Sequence, residues 1–155
     1  MAAGVGPSRF EQWLGSVGLD LEVRRFPEGT RTAEDAARAI GCEVGQIVKS
    51  LVFTAGDRPV IALVSGANRL DTGRLAALAG AQTGKADADL VRSATGYAIG
   101  GVPPFGHAQE LPVYMDSDLQ QYAVVWAAAG RPDTVFPIEP SRLAELSGAT
   151  VAELK

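Results

Sequence analysis

Apolar positions along this chain recur at two different spacings, and those spacings predict its elements. Phe10, Trp13, Leu14 and Val17 fall at helical intervals behind Ser8, which predicts a capped helix over Arg9–Val17 that Gly18 stops. Leu21–Phe26 reads as a short strand broken by Pro27-Glu28-Gly29. Thr32 opens a helix over Ala33–Ile40, with Glu34 and Asp35 in its first turn and Gly41 at its end. Two dense apolar runs follow, Ile47–Thr54 and Val60–Ser65. The Gly56-Asp57-Arg58 segment between them predicts an antiparallel hairpin. Asp71 or Thr72 caps a helix through Leu78 that ends at Gly80, and Asp87 caps another through Ser93 that ends at Gly96. Pro112–Met115, Tyr122–Ala127 and Thr134–Ile138 are strand candidates, and Pro140–Leu146 is a helix closed by Gly148.

Helices and strands joined by hairpin-type links predict an α+β fold, a mixed and mostly antiparallel sheet flanked by helices. The 155 residues, with no repeat or linker, are read as a single domain spanning 1–155 with room for a proper core. Composition narrows the function. Charged residues make up 21% and the net charge is −4, which argues against a protein that coats DNA or RNA by neutralising phosphates. Gripping only the end of an RNA stays open, because Arg24, Arg25, Arg31, Arg58, Arg69, Arg74 and Lys85 are scattered and folding can gather a few. One cysteine, Cys42, rules out an internal disulfide and fits a reducing cytoplasm. With His107 the only histidine, a multi-ligand metal site is not expected. No apolar window is long enough for a membrane span, and Met1–Pro7 lacks the pattern of a signal peptide.

Two segments stand out chemically. The first is Gln46-Ile47-Val48-Lys49-Ser50-Leu51-Val52-Phe53, a strand with a lysine inside it. Alternation puts Lys49 on a face with Ile47, Leu51 and Phe53. Such a lysine either snorkels from a strand end or sits in a cleft as a fixed ammonium that binds an anionic or carbonyl oxygen. The second is the loop Gly96-Tyr97-Ala98-Ile99-Gly100-Gly101-Val102-Pro103-Pro104-Phe105-Gly106-His107. Paired glycines permit close backbone approach to a ligand, and the prolines stiffen the loop, so the N–H groups of Gly100, Gly101 and Val102 are candidate donors. The plainer alternative is a rigid connection. His107 is either a general base or a hydrogen-bonded structural residue. The simplest role for Asp116 is to cap the turn that follows it, and Cys42 reads as packing.

In this order, the lysine strand and the glycine-proline loop resemble the YbaK/ProX family of freestanding aminoacyl-tRNA deacylases, relatives of the editing insertion of bacterial prolyl-tRNA synthetase. Thr32–Ala37, Gln46–Phe53 around Lys49, Gly100–Pro104, Pro112–Asp116 and Trp126–Gly130 carry the likeness. The resemblance implies hydrolysis, in trans, of the ester joining a mischarged amino acid to the terminal adenosine of a tRNA, of the Ala- or Cys-tRNA(Pro) type. It implies that Lys49 and Gly101 support the chemistry, and that Phe26, Ser50, Gly100, Val102, Pro104, His107 and Asp116 contact substrate. No cofactor is implied, and attack comes from water or from a nucleophile on the substrate. The implied partners are the acceptor end of aminoacyl-tRNA and a synthetase. Ala128-Ala129-Gly130 lacks the serine that cysteine-specific members carry near there, which argues against that subtype. The alternative function is a non-catalytic module that binds an aminoacyl group, a nucleotide or a protein through the same pocket.

Overall fold

The two apolar runs form the hairpin their pattern predicts. A computed structural model describes residues 8–27 and 32–155 of the chain, so Glu28, Gly29 and Arg31 of the sequence-based reading, like Met1–Pro7, lie outside the described residues. Among these residues the helices are α1 (Arg9–Val17), α2 (Ala33–Ile40), α3 (Thr72–Ala79), α4 (Ala88–Thr95) and α5 (Pro140–Ser147). The strands are β1 (Arg24–Arg25), β2 (Val48–Ala55), β3 (Arg58–Ser65), β4 (Thr83–Lys85), β5 (Val113–Asp116), β6 (Val125–Ala128), β7 (Thr134–Ile138) and β8 (Thr150–Ala152). They make a five-stranded sheet in the order β4-β2-β3-β5-β8 and a three-stranded sheet in the order β1-β7-β6. The ladders of β2 with β3 and β4, and of β7 with β1 and β6, are antiparallel, whereas β3-β5 and β5-β8 are parallel. The fold is α+β with a mixed, mostly antiparallel arrangement. No helix among the described residues is long and apolar enough to cross a membrane.

Strand β3 lies at the centre, and its alternation explains the two sides of the large sheet. Val60, Ala62 and Val64 pack with Leu75 of α3, while Ile61 and Leu63 face the main core with Phe10 of α1, Val91 of α4, Phe136 of β7 and Leu143 of α5. All five β3 residues are buried, as expected for a strand covered on both faces. The helices begin where the caps predict. Ser8 makes a capping box with Glu11, and the side chains of Thr32, Asp71 and Asp87 accept backbone N–H bonds from the first turns that follow them.

Three features differ from the pattern-based reading, each for a backbone reason. The strand expected over Leu21–Phe26 forms a ladder only at Arg24–Arg25. Its register would next bring Glu22 against Pro137 of β7. The bond from Ala129 N–H to Thr134 O shows that even-numbered β7 residues face β6, so Pro137 faces β1 and has no N–H to give it. Leu21 and Val23 still pack on the core, so their alternation reports burial rather than pairing. Strand β6 starts at Val125 rather than Tyr122, because a 3-10 turn over Ser117–Gln121 is closed by the bond from Tyr122 N–H to Leu119 O. The three-residue strands β4 and β8 are too short to show a period and exist because β2 and β5 offer them an edge.

Candidate functional site

An open cavity of about 420 Å³ lies along β2, walled by Thr32–Glu34 and Ala36 of α2 and its cap, Val48–Leu51 of β2, Ile99 and Gly100, and Trp126 and Val135 of the small sheet. A smaller cavity of about 220 Å³ adjoins it and shares Ser50, Leu51, Ile99, Gly100 and Val102. Both exist because β2 is only partly paired on the side away from β3. There β4 reaches Phe53–Ala55, and a single parallel bridge joins Ile47 to Trp126. No strand of the described residues fills the gap between them.

The register shows which backbone groups face this gap. Gly66 N–H donates to Ile47 O at 2.7 Å, which places the odd-numbered residues of β2 in the hydrogen-bonded pairs with β3. Pro59 opposes Thr54, in a pair where no N–H toward β2 is needed. The N–H and C=O of Val48, Ser50 and Val52 therefore turn away from β3, and Ser50 sits mid-gap. The Ser50 hydroxyl is buried as well and has no hydrogen-bond partner among the described residues. A hydroxyl without a protein partner and an unpaired stretch of strand edge thus lie on the same cavity wall.

Lys49 lines the cavity on the opposite face of β2 from Ser50. Its Nζ donates to the main-chain carbonyl of Asn68 at 2.6 Å, and it makes no ion pair among the described residues. The side-chain amine is therefore held by a neutral oxygen rather than by a carboxylate. Asn68 in turn donates its side-chain amide to Asp116 and Asp118, each at 2.8 Å. Asp116 is fully buried and also accepts from Ser65 N–H and Asp118 N–H. Lys155 beside Asp118, with the Asn68 amide, holds the Asp118 carboxyl below its ordinary range, and the same contact with Asp118 raises Lys155.

The loop opposite β2 is tied down internally. His107 Nε2 lies 2.6 Å from Pro103 O, so the neutral ring carries its proton on Nε2, and burial lowers the His107 pKa. Tyr97 donates to Gly106 O, and Phe105 inserts among Phe10, Trp13 and Phe136. Gly100 has φ +94 and open space where a Cβ would sit, so the backbone there is both left-handed and approachable. Gly101 differs. Its N–H is committed to Ala98 O at 3.0 Å, and a Cβ would come within 3.0 Å of the Arg131 backbone.

The structure thus brings Lys49, Ser50, Gly100 and Val102 to the cavities, with Lys49 at the larger one only. Gly101, Pro104 and His107 lie in the loop behind that surface, and Asp116 lies beneath Lys49, joined to it through Asn68. Phe26 packs with Ile47, Ala36, Trp126 and Val135, all of which line the larger cavity, but does not line it itself. Cys42 belongs to the same packing group, and burial pushes its thiol up. Pattern reading missed Glu34, Ile99, Trp126 and Asn68. Glu34 reads in sequence as an ordinary first-turn acid and Trp126 as a strand aromatic. Only the 61% exposure of Ile99, unusual for so large an apolar side chain, sets it apart, and exposure is not visible in sequence.

The molecule is thus a mixed α+β domain with Lys49 on a half-open strand, faced by a stiff glycine-proline loop. The model of the aminoacyl-tRNA editing domain matches residues 27–146, and the chain belongs to that family. YwhH of Bacillus subtilis, an uncharacterized protein, is 30% identical over 93% of this chain and 90% of its own length. The "Putative Cys-tRNA(Pro)/Cys-tRNA(Cys) deacylase EbsC" of Enterococcus faecalis is 31% identical over 83% of this chain and 80% of its own. A crystal structure described as "a putative trans-editing enzyme for prolyl tRNA synthetase" superposes with a TM-score of 0.91 at 49% identity, covering 97% of this chain and 98% of that one.

Proposed function

We propose that the chain is a deacylase acting in trans, and that its larger cavity holds the aminoacylated terminal adenosine of a mischarged tRNA. The observation that carries this reading is the uncompensated Lys49 ammonium at the unpaired edge of β2, facing the approachable backbone of Gly100. An aminoacyl ester is already activated, so its hydrolysis needs placement and charge stabilisation more than strong acid-base help. Water adds to the ester carbonyl carbon, and the oxyanion that forms is stabilised by the cation. The bond to the ribose oxygen then breaks, the proton of the water passes to that oxygen, and free amino acid and tRNA are released. The relatives' names and the 49% identity to a protein described in relation to prolyl-tRNA synthetase support tRNA(Pro) as the carrier. A cavity of about 420 Å³ shared with the nucleoside leaves space for a small amino acid such as alanine.

Release of labelled amino acid from a panel of mischarged tRNAs tests this, with Ala-tRNA(Pro), Cys-tRNA(Pro) and correctly charged Pro-tRNA(Pro) as its core. Preferred cleavage of Ala-tRNA(Pro) is expected. Binding without cleavage of any member would make the protein a binding module instead.

A further inference from the structure

We infer that Asn68 is a positioning residue: it seats the Lys49 ammonium on a neutral carbonyl and keeps that cation apart from the two carboxylates behind it. This rests on the reading of Lys49 given under Proposed function and adds how the lysine is kept in working order. A free lysine side chain samples many rotamers and is drawn to any nearby carboxylate. Two such carboxylates, Asp116 and Asp118, lie one residue's reach behind Lys49, yet neither pairs with it. Asn68 stands between them. Both amide hydrogens of its side chain go to carboxylate oxygens, an orientation that chemistry enforces because the amide oxygen would be repelled there. Its own N–H donates to Ser65 O at 2.9 Å. With three bonds fixing the residue, its carbonyl becomes a fixed acceptor, and Lys49 meets it at 2.6 Å. An ammonium has three hydrogens, so this seat leaves two for a ligand.

The arrangement is asymmetric in a useful way. The buried carboxyl of Asp116 accepts from Ser65 N–H, Asp118 N–H and the Asn68 amide, and that of the partly exposed Asp118 from Lys155 and the same amide. Removing the Asn68 side chain leaves both acids short of a donor, with Lys49 on one side of them and Lys155, already paired to Asp118, on the other. The ammonium then turns inward and is lost to the cavity.

A double-mutant cycle tests this on the best-cleaved tRNA of the panel. Asn68→Ala is expected to lower kcat/KM about 10- to 100-fold, the scale of a misplaced site group. In a Lys49→Ala background it should add less than about twofold, because the lysine it positions is gone. Asn68→Ser, which keeps one donor, should fall between Asn68→Ala and wild type, and it carries the same cycle if Asn68→Ala folds poorly by its thermal midpoint. Losses that multiply across the cycle would reduce Asn68 to a purely structural residue and overturn the inference. So would a slow Lys49→Ala beside a fast Asn68→Ala. A Lys49→Ala enzyme as fast as wild type would instead overturn the reading of the cavity, and the role of Asn68 with it.

Discussion

From Phe53 to Ala55, β2 is bonded on both sides, to β3 and to β4. From Lys49 to Val52, beyond the bridge of Ile47 to Trp126, it has β3 as its only partner strand among the described residues and lines the cavities. The two halves are one continuous apolar strand with one partner in common, so composition does not separate them. What differs is where the neighbouring strand stops. Pairing on both sides turns the backbone into structure. A missing neighbour leaves the N–H and C=O of Ser50 without a partner strand, on the cavity that Lys49 also lines. The site is the place where a sheet was not completed, and its cation is held at that edge by a carbonyl rather than by an acid.

This contrast breaks most sharply with one substitution in each half. Lys49→Ala should leave the thermal midpoint unchanged and slow deacylation about 10- to 1000-fold, the scale of losing a charge-stabilising donor. Val60→Ala lies beneath the fully paired half, opposite Phe53 and 1% exposed. It should cost about 2 kcal/mol of stability by leaving a cavity, with kcat/KM unchanged under conditions where the protein stays folded. Rate and denaturation measurements on both variants check the pair. If the two effects were exchanged, the division of β2 into a structural and a functional half would not hold.

The loop facing that edge offers the next contrast. Gly101→Ala forces the backbones of Gly101 and Arg131 apart by a few tenths of an ångström and tilts Gly100 and Val102 at the cavity wall. An activity loss of about tenfold is expected. His107→Ala removes one internal bond and should cost less activity than Gly101→Ala. A larger loss from His107→Ala would restore the histidine as a general base.

Binding of uncharged tRNA sharpens the comparison from the ligand's side. If the open half of β2 grips only the acceptor end, the log–log slope of affinity against salt should have a magnitude of about 1–3. A salt titration that returned a slope typical of six or more phosphate contacts would reveal a basic surface beyond this edge.

The smallest effect concerns pH. Burial lowers the folded-state pKa of His107 below its ordinary 6.5, so the unfolded chain binds more protons than the native one below that pH. This contribution to stability is present above about pH 6.5 and is lost as pH falls from there through the folded value. Urea midpoints at about pH 7.5 and about pH 5.5 should therefore differ more for wild type than for His107→Gln. Equal differences would mean that His107 titrates normally.

Much of this was legible in the chain. Caps and glycine stops gave the helix limits closely, because an N-cap hydroxyl or carboxylate and a left-handed glycine act within a few residues of sequence. The hairpin followed from two apolar runs around Gly56-Asp57. Lys49 and the Gly100–Pro104 loop were visible because a lysine in an apolar strand and a Gly-Gly-x-Pro-Pro run are locally anomalous. Asn68 was not. Nothing in Ser65-Gly66-Ala67-Asn68 departs from an ordinary turn, and its role comes from residues about fifty positions away. The same holds for Pro137, whose missing N–H limits β1 only because the register brings it opposite Glu22.

By itself, then, the sequence determined the elements, their burial alternation, the modest acidity and the two chemical anomalies, since each depends on near neighbours along the chain. The tertiary structure alone decided that β3, β5 and β8 run parallel, that β4 stops at Phe53, and that Asp116 and Asp118 reach Lys49 only through Asn68. These are matters of register and of strand ends, set by contacts between distant segments, and no local period encodes them.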